Sequence, residues 1–374
     1  MNITVLGAGM IGRTIAKELA KHHKVRAVDR DQRSLNQLEG IKNIEVVKTN
    51  LTSLSVYKKL LQGQDICVCA VPGFMGHEAL SNIIQTGTNC VDISFAPENS
   101  LELNDLAKKH KVSVVIDCGV APGMSNLILG YENSQMEVQS FSCVVGGLPK
   151  VRTAPFEYKA PFSPIDVIEE YSRPARLVEN SVVVTKPALS EKELLHFKQV
   201  GSLESFNTDG LRSLLFTMPH IPNMKEKTLR YPGHVALIQS LQQAGFFSNE
   251  KIMVDGSSIS RKDFTCKILF DQWKLLPEDE EFTLMEITIK GVSDKKKLTK
   301  TYTLFDEYDK TTSTSSMSRT TAFTCTAVVD LMAKGKIKTK GVLAPETIGG
   351  DQDNFMSILN YLKDRNVVYE TSSI

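Results

Sequence analysis

The sequence predicts an α/β fold: a doubly wound sheet of parallel strands, joined to an inserted α+β domain with a largely antiparallel sheet. Three observations predict it. Over roughly the first 120 residues, short apolar runs alternate with amphipathic stretches. A glycine-rich turn follows the first apolar run. After about Gly130 the runs alternate more strictly and polar turns separate them.

The apolar runs of the first part are Ile3–Leu6, Val25–Val28, Glu45–Val47, Ile66–Val71, Cys90–Ile93 and Val112–Ile116. Between them lie Arg13–His22, Ser53–Leu61, Gly76–Gln85 and Ser100–His110, each with apolar residues at helical spacing. Strand and helix in repetition argue for parallel pairing through crossover helices. Continuous apolar runs such as Ile66–Val71 suit strands covered on both faces.

In the middle of the chain, Glu137–Val145, Ser181–Thr185, Phe264–Leu269 and Phe282–Lys290 read as strands of an antiparallel setting. Gly146-Gly147, Asn207–Gly210 and Asp255-Gly256 read as turns. Tyr231–Gly245 reads as one helix after a Pro-Gly start, and Asp294–Lys300 as a solvated basic hairpin or loop. Arg319–Lys334 is helical again, with Gly335 where a C-cap should stand. The phrase Gly341–Glu346 is turn-like, and the tail from Thr371 reads as frayed. The late helix reads as a return to the first domain. Residues 1–122 and 316–374 then form one discontinuous domain around an insert of 123–315.

Charge excludes some partners. Lys and Arg number 44 against 43 Asp and Glu, so no broad field draws nucleic acid or an anionic membrane. The seven cysteines are odd in number and form no C-x-x-C pair, which predicts neither a disulfide framework nor a metal site. Reduced thiols predict a cytoplasmic setting. Met1 is followed almost at once by an apolar strand, not by a secretory leader. No apolar run reaches the 18 or so residues that a membrane span needs.

The glycine turn is Gly7-Ala8-Gly9-Met10-Ile11-Gly12. It sits between a strand and a helix, the setting of a Rossmann-type dinucleotide site. Gly7 allows the tight turn, Gly9 a close approach to pyrophosphate, and Gly12 close packing of helix on sheet. Met10 and Ile11 open the helix, whose free amides favour phosphate. Asp29 ends the second strand, about 20 residues on, where a carboxylate receives the ribose 2′-OH and repels a 2′-phosphate. That points to NAD. Arg30 complicates it, because a guanidinium can serve a phosphate, so NADP stays open. Asn50 and Leu51 follow the third strand and face the adenine in this reading. Ala70, Val71 and Pro72 end the fourth strand and pass the second ribose.

The segment from Asp117 through Cys118, Gly119, Val120, Ala121, Pro122 and Gly123 to Asn126 follows the last strand of the first part, where a ligand should sit. Here the chain resembles the saccharopine dehydrogenase-like family, most nearly its lysine 6-dehydrogenase branch. Four more phrases carry the resemblance: Gly146–Pro149, Glu170–Ala175, Thr228–His234 and Ser316–Thr321. It runs from residue 1 to about 350. Saccharopine reductases usually carry an Asp-Pro-Gly-Ile-Asp-His type phrase where this chain has Asp117–Pro122. They are also longer.

The resemblance implies oxidative deamination of an amino acid: the ε-carbon of lysine gives up a hydride, and the imine is hydrolysed to 2-aminoadipate semialdehyde and ammonia. Such chemistry needs a neutral amine, a cation for the α-carboxylate and a carboxylate for the α-ammonium. His234, Lys159 and Asp117 are the candidate catalytic groups. His234 opens a helix, where the dipole favours a neutral imidazole, or is a core histidine. Lys159 is an acid/base group, a carboxylate ligand or a solvated lysine. Asp117 holds the amine or anchors its loop. Arg230 and Arg173 are the candidate carboxylate clamps or ordinary ion pairs. Tyr231, Asp209 and Arg212 complete the candidate substrate set. Cys118, with Gly119 and Val120, borders the nicotinamide as a small packing residue. The resemblance also implies a homodimer, for which the antiparallel sheet offers a surface. Two other functions stay open: an NADP-dependent reductase of saccharopine or carboxynorspermidine type, and a non-catalytic NAD-binding sensor.

Overall fold

The computed structural model describes residues 1–374. The first part runs β1 (Asn2–Leu6), α1 (Met10–Leu19), β2 (Lys24–Asp29), α2 (Gln32–Asn36), β3 (Ile44–Lys48), α3 (Leu54–Leu61), β4 (Ile66–Cys69), α4 (Gly73–Gln85), β5 (Asn89–Asp92), α5 (Asn104–Lys109) and β6 (Ser113–Val115). All neighbouring strands pair in parallel, in the order β3-β2-β1-β4-β5-β6. The order reverses between β1 and β4, and that crevice is where such sheets bind ligands. Every residue of β4 is buried, as its continuous apolar run requires when helices cover both faces.

α6 (Met124–Gln135) leads out of this sheet into β7 (Glu137–Pro149), α7 (Pro164–Ser172), β8 (Ala175–Glu179), β9 (Val182–Lys186), β10 (Glu193–Phe197), β11 (Gly201–Asn207), α8 (Leu214–Thr217) and β12 (Asn223–Arg230). α9 (His234–Gln243), β13 (Lys251–Val254), β14 (Ser257–Ser260), α10 (Arg261–Trp273), β15 (Glu281–Ser293) and β16 (Lys296–Glu307) follow. Apart from the β13–β14 hairpin, these strands build one mixed sheet, antiparallel except where β12 lies parallel to β7. Alternation sends side chains to opposite faces. Cys143 and Val145 of β7, with Met285, Ile287 and Ile289 of β15, join one core. Val144, Leu148, Phe282 and Leu284 join the other, with Tyr171, Phe206 and Trp273. Helices therefore cover both faces of this sheet too.

The chain then returns through α11 (Ser316–Ala333), β17 (Gly341–Leu343), α12 (Pro345–Gly349), α13 (Gln352–Lys363) and β18 (Tyr369–Ser373). α11 packs on α1 and on β15. Its buried middle is built mainly of small residues, among them Ala322, Thr324, Cys325 and Ala327, with larger Met317, Arg319, Leu331 and Met332 buried toward its ends. Thr320 and Thr324 return their hydroxyls to the carbonyls of Ser316 and Thr320, which satisfies them inside the core. Gly335 adopts φ +68° just past the helix, closing it as expected.

Four expectations are corrected. Phe264–Leu269 lies within helix α10 and is not a strand: Thr265, Cys266, Leu269 and Trp273 face the core at helical spacing, and Ser260 caps the start by accepting from the Asp263 amide. Gly146 and Gly147 lie inside β7 and make no turn. A Cβ at Gly146 would stand 2.7 Å from the Leu229 carbonyl, and one at Gly147 2.7 Å from Met317 Cε. Gly341–Glu346 is not a turn: β17 pairs with β6 and extends the first sheet, and α12 follows. The tail from Thr371 is not frayed, because β18 pairs with β16 from Lys300↔Ser373 to Leu304↔Tyr369.

Glu346 of α12 ties three segments together. Its Oε2 accepts from Asn126 Nδ2 at 3.2 Å and from Ser213 Oγ at 3.0 Å, and its Oε1 from Thr217 Oγ1. It is 1% exposed. Glu346→Ala leaves buried Ser213 Oγ without an acceptor and removes one bond each from Asn126 and Thr217, which keep Ser213 as a partner; it should cost about 1–3 kcal/mol. A fall in the urea midpoint checks this, and an unchanged midpoint would contradict it.

Candidate functional site

The glycine turn sets one end of a cavity of about 620 Å³. Gly7 has φ +96°, and a Cβ there would lie 2.3 Å from the Ala70 carbonyl. A Cβ at Gly12 would lie 1.9 Å from the Gly7 carbonyl. At Gly9 nothing stands within 4 Å of a Cβ. The first and third glycines are thus required by the protein's own backbone, and the second faces open space. Asp29 accepts from the Ala8 amide at 2.7 Å and the Asp31 amide at 2.8 Å. These bonds fix its carboxylate beside the turn.

Gly7, Gly9, Met10, Ile11, Gly12, Asp29, Arg30, Asn50, Leu51, Ala70, Val71, Pro72, Gly119 and Val120 all line this cavity. A nicotinamide dinucleotide fits these residues: an open glycine at a helix N-terminus for its phosphates, and a fixed carboxylate for a ribose. Cys118 does not line it; its thiol points to the Ile116 carbonyl in the core. Arg13, one residue beyond the fingerprint, does line it and forms no ion pair. Its place one turn into an amphipathic helix gave no signal in the sequence.

The far end is acidic. Alternation along β12 puts Glu226, Thr228 and Arg230 on the cavity face. Asp117, from the end of β6, and Asp166 and Glu170, from α7, complete it. Thr208 Oγ1 lies 3.0 Å from Thr228 Oγ1. Burial pushes the Asp166 carboxyl up to about 6, although it accepts from the Gly73 amide. Burial raises Glu170 as well, opposed by Arg230. Burial, helped by the neighbouring carboxylates Glu170, Asp209 and Asp117 and opposed by Arg212, pushes Glu226 up to about 8.

Of the expected substrate residues, only Asp117 and Arg230 reach this cavity. Asp117 pairs with buried Arg212 at 3.3 Å. Arg230 is already engaged: Nε donates to Tyr171 Oη at 2.9 Å, one nitrogen donates to the Leu229 carbonyl, and the other to Tyr158 Oη and Glu170 Oε2. One of its five N–H groups remains free, so it is no open clamp.

His234 is corrected to a positioning role. Its Nδ1 donates to the Phe156 carbonyl at 2.8 Å, which leaves Nε2 to accept from Tyr171 Oη at 2.9 Å. Burial, with the Arg230 charge, lowers it to about 3. It therefore stays neutral and orients Tyr171, which in turn holds Arg230. Lys159 is corrected too: it donates to the Gln272 carbonyl on α10, away from the cavity. Tyr231 donates to the Pro149 carbonyl and lies under Arg152. Asp209 takes Arg176 in a two-pronged pair, at 2.9 and 2.8 Å. Arg173 stacks 4.9 Å over Phe95. Both border a separate surface cleft. Sequence reasoning missed Glu226, Asp166 and Glu170. The period-2 spacing of Glu226, Thr228 and Arg230 was the available signal.

Fold and cavity together define a two-domain NAD(P)-dependent oxidoreductase. The chain belongs to the saccharopine dehydrogenase family: residues 3–116 match its NADP binding domain and residues 119–368 its C-terminal domain. It is 21% identical to the Saccharomyces cerevisiae saccharopine dehydrogenase [NADP(+), L-glutamate-forming], over 98% of each chain. It is 22% identical to the alpha-aminoadipic semialdehyde synthase of Arabidopsis thaliana over 57% of this chain, and spans 21% of that relative's length. It spans 31% of the Bos taurus mitochondrial counterpart, at 20% identity over 71% of this chain. Among solved structures, the apo saccharopine dehydrogenase (L-Glu forming) from Saccharomyces cerevisiae superposes with a TM-score of 0.79 at 18% identity, covering 100% of this chain and 99% of the other. The homospermidine synthase from Legionella pneumophila in complex with NAD gives 0.69 at 10% identity, covering 100% and 91%.

Two outcomes follow from the geometry. Gly9→Ala should fold with an unchanged Tm yet lose at least tenfold in dinucleotide affinity, whereas Gly12→Ala should lower the Tm; fluorescence titration and thermal melts separate them. Lys159→Ala should leave kcat/KM within twofold in steady-state assays, and a larger loss would return Lys159 to the chemistry.

Proposed function

We propose that the chain oxidises the primary amine of a small amino acid, the ε-amine of lysine, with NAD as hydride acceptor. The products are 2-aminoadipate semialdehyde and ammonia. One observation carries the reading: the far end of the cavity holds Asp117, Asp166, Glu170 and Glu226 against a single, largely engaged arginine. Lysine brings two ammonium groups and one carboxylate, which suits that balance. A saccharopine-type substrate brings more carboxylates, and this end would repel them.

The dinucleotide, when bound, supplies the hydride acceptor. Residues Gly7 to Gly12 and Asp29 would hold it, and Asp29 supports NAD because its fixed carboxylate opposes a 2′-phosphate. The names of the curated relatives favour the second reading, an NADP-dependent saccharopine dehydrogenase, for which exposed Arg30 would be the phosphate ligand. A cytoplasmic setting is supported by seven buried free cysteines. A homodimer is supported by exposed Phe264 and Ile268 on α10 and exposed Met253 on the β13–β14 hairpin.

Absorbance of the reduced cofactor tests the reading. Lysine with NAD should give a kcat/KM at least tenfold above lysine with NADP, and saccharopine should be turned over more slowly than lysine with either cofactor. Faster oxidation of saccharopine would favour the second reading. Cofactor binding with no turnover of any amine would leave a nucleotide-binding sensor.

A further inference from the structure

Four carboxylates line the far end of the cavity, and they differ in what surrounds them. Asp117 is paired with Arg212. Asp166 accepts from the Gly73 amide. Glu170 accepts from Arg230. Glu226 is 3% exposed, and its Oε2 has no hydrogen-bond partner. A buried, unpartnered carboxylate is costly and calls for a reason.

The surroundings keep it that way. Gly210 gives the carboxylate its space: a Cβ there would lie 1.8 Å from Glu226 Oε1. Facing charges are Asp117 from β6, Glu170 from α7, and Asp209 and Arg212 from the segment after β11. Three of these four are negative, and the one cation is already paired with Asp117.

We propose that Glu226 is the catalytic residue that takes the proton from the substrate's ammonium group, freeing the nitrogen lone pair. This rests on the amine-oxidation reading above. One N–H bond breaks and one O–H bond forms. The electron pair of the N–H bond stays on nitrogen, so ammonium and carboxylate become amine and carboxylic acid, with no change of oxidation state. In water this transfer is uphill by about six pKa units. Burial narrows the gap from both sides, raising a carboxyl and lowering an ammonium. Glu226 lies where that narrowing operates, since burial and the nearby Glu170, Asp209 and Asp117 together lift it to about 8 against the opposing charge of Arg212. Without an amine beside it, the raised carboxyl favours its protonated form near neutral pH. An arriving ammonium favours the carboxylate and drives that first proton to solvent.

Glu226→Gln, nearly equal in shape, tests this in three ways. Calorimetry of n-butylamine binding at pH 7, in phosphate and in HEPES, should show nearly one proton released per amine by the native protein and none by the variant. With lysine and NAD the variant should lose about 100-fold or more in kcat, with KM changed less than tenfold. Its fold is checked by melts. A raised carboxyl contributes stability that is present at low pH and lost as pH rises from its unfolded value to about 8. The variant's Tm should therefore match the native one at pH 4 and exceed it at pH 9. Equal proton release, or a kcat within fivefold, would overturn the role of Glu226 while leaving amine oxidation standing. Loss of proton release in the variant, with no amine oxidised by either protein, would overturn the oxidation reading and keep Glu226 as the amine's proton partner.

Discussion

The cavity depends on one helix being packed against both sheets at once. α11 touches α1 on one side and β15 on the other. Its run of Ala, Thr and Cys lets both approach closely, and a single core of 52 buried residues extends from Ile3 and Val5 to Ile287 and Ile289. Replacing those small residues with larger ones would overpack this core and destabilise it. The glycine turn belongs to the first sheet, while the acidic end joins Asp117 from that sheet to Glu226 and Arg230 of β12 in the second. The Asp117–Arg212 pair repeats the bridge at the cavity wall. Both residues adopt φ +52°, an uncommon conformation for side-chain-bearing residues.

Charge inside the cavity is organised by which carboxylates have donors. Asp29 has two backbone amides, Asp117 a guanidinium, Glu170 an arginine. Around Arg230 the order runs outward through Tyr171 to neutral His234 and the Phe156 carbonyl. A chain in which every member has its partner is rigid. It holds the one cavity-lining cation of the acidic end in a fixed place, and so leaves Asp166 and Glu226 without an ion-pair partner.

The parallel half was legible because its signals are local. Strand runs, helix periodicity and the Gly7–Gly12 spacing each lie within a few residues of one another, and the observed elements follow them closely. What escaped depends on distant partners. Gly146 and Gly147 look like a turn until Leu229 and Met317 are placed against them. Gly341–Leu343 is too short to declare itself a strand without β6 beside it. Phe264–Leu269 alternates over six residues, while the longer Thr265-to-Trp273 spacing that decides for helix spans a polar stretch. At the site, residue type favoured histidine, lysine and arginine. His234 and Lys159 turned out to have backbone partners that draw them elsewhere. Glu226 drew no notice, because the lack of a partner is visible only once the neighbours are placed.

The path of the chain bears on how ligands come and go. It passes from the first sheet to the second after β6, back to the first at β17, and over again at β18. Two bodies joined by a single linker need only one hinge, whereas any shift between these two sheets has to be absorbed at three connections together. A substitution at any one of those connections therefore bears on the relative placement of the cofactor and substrate ends of the cavity.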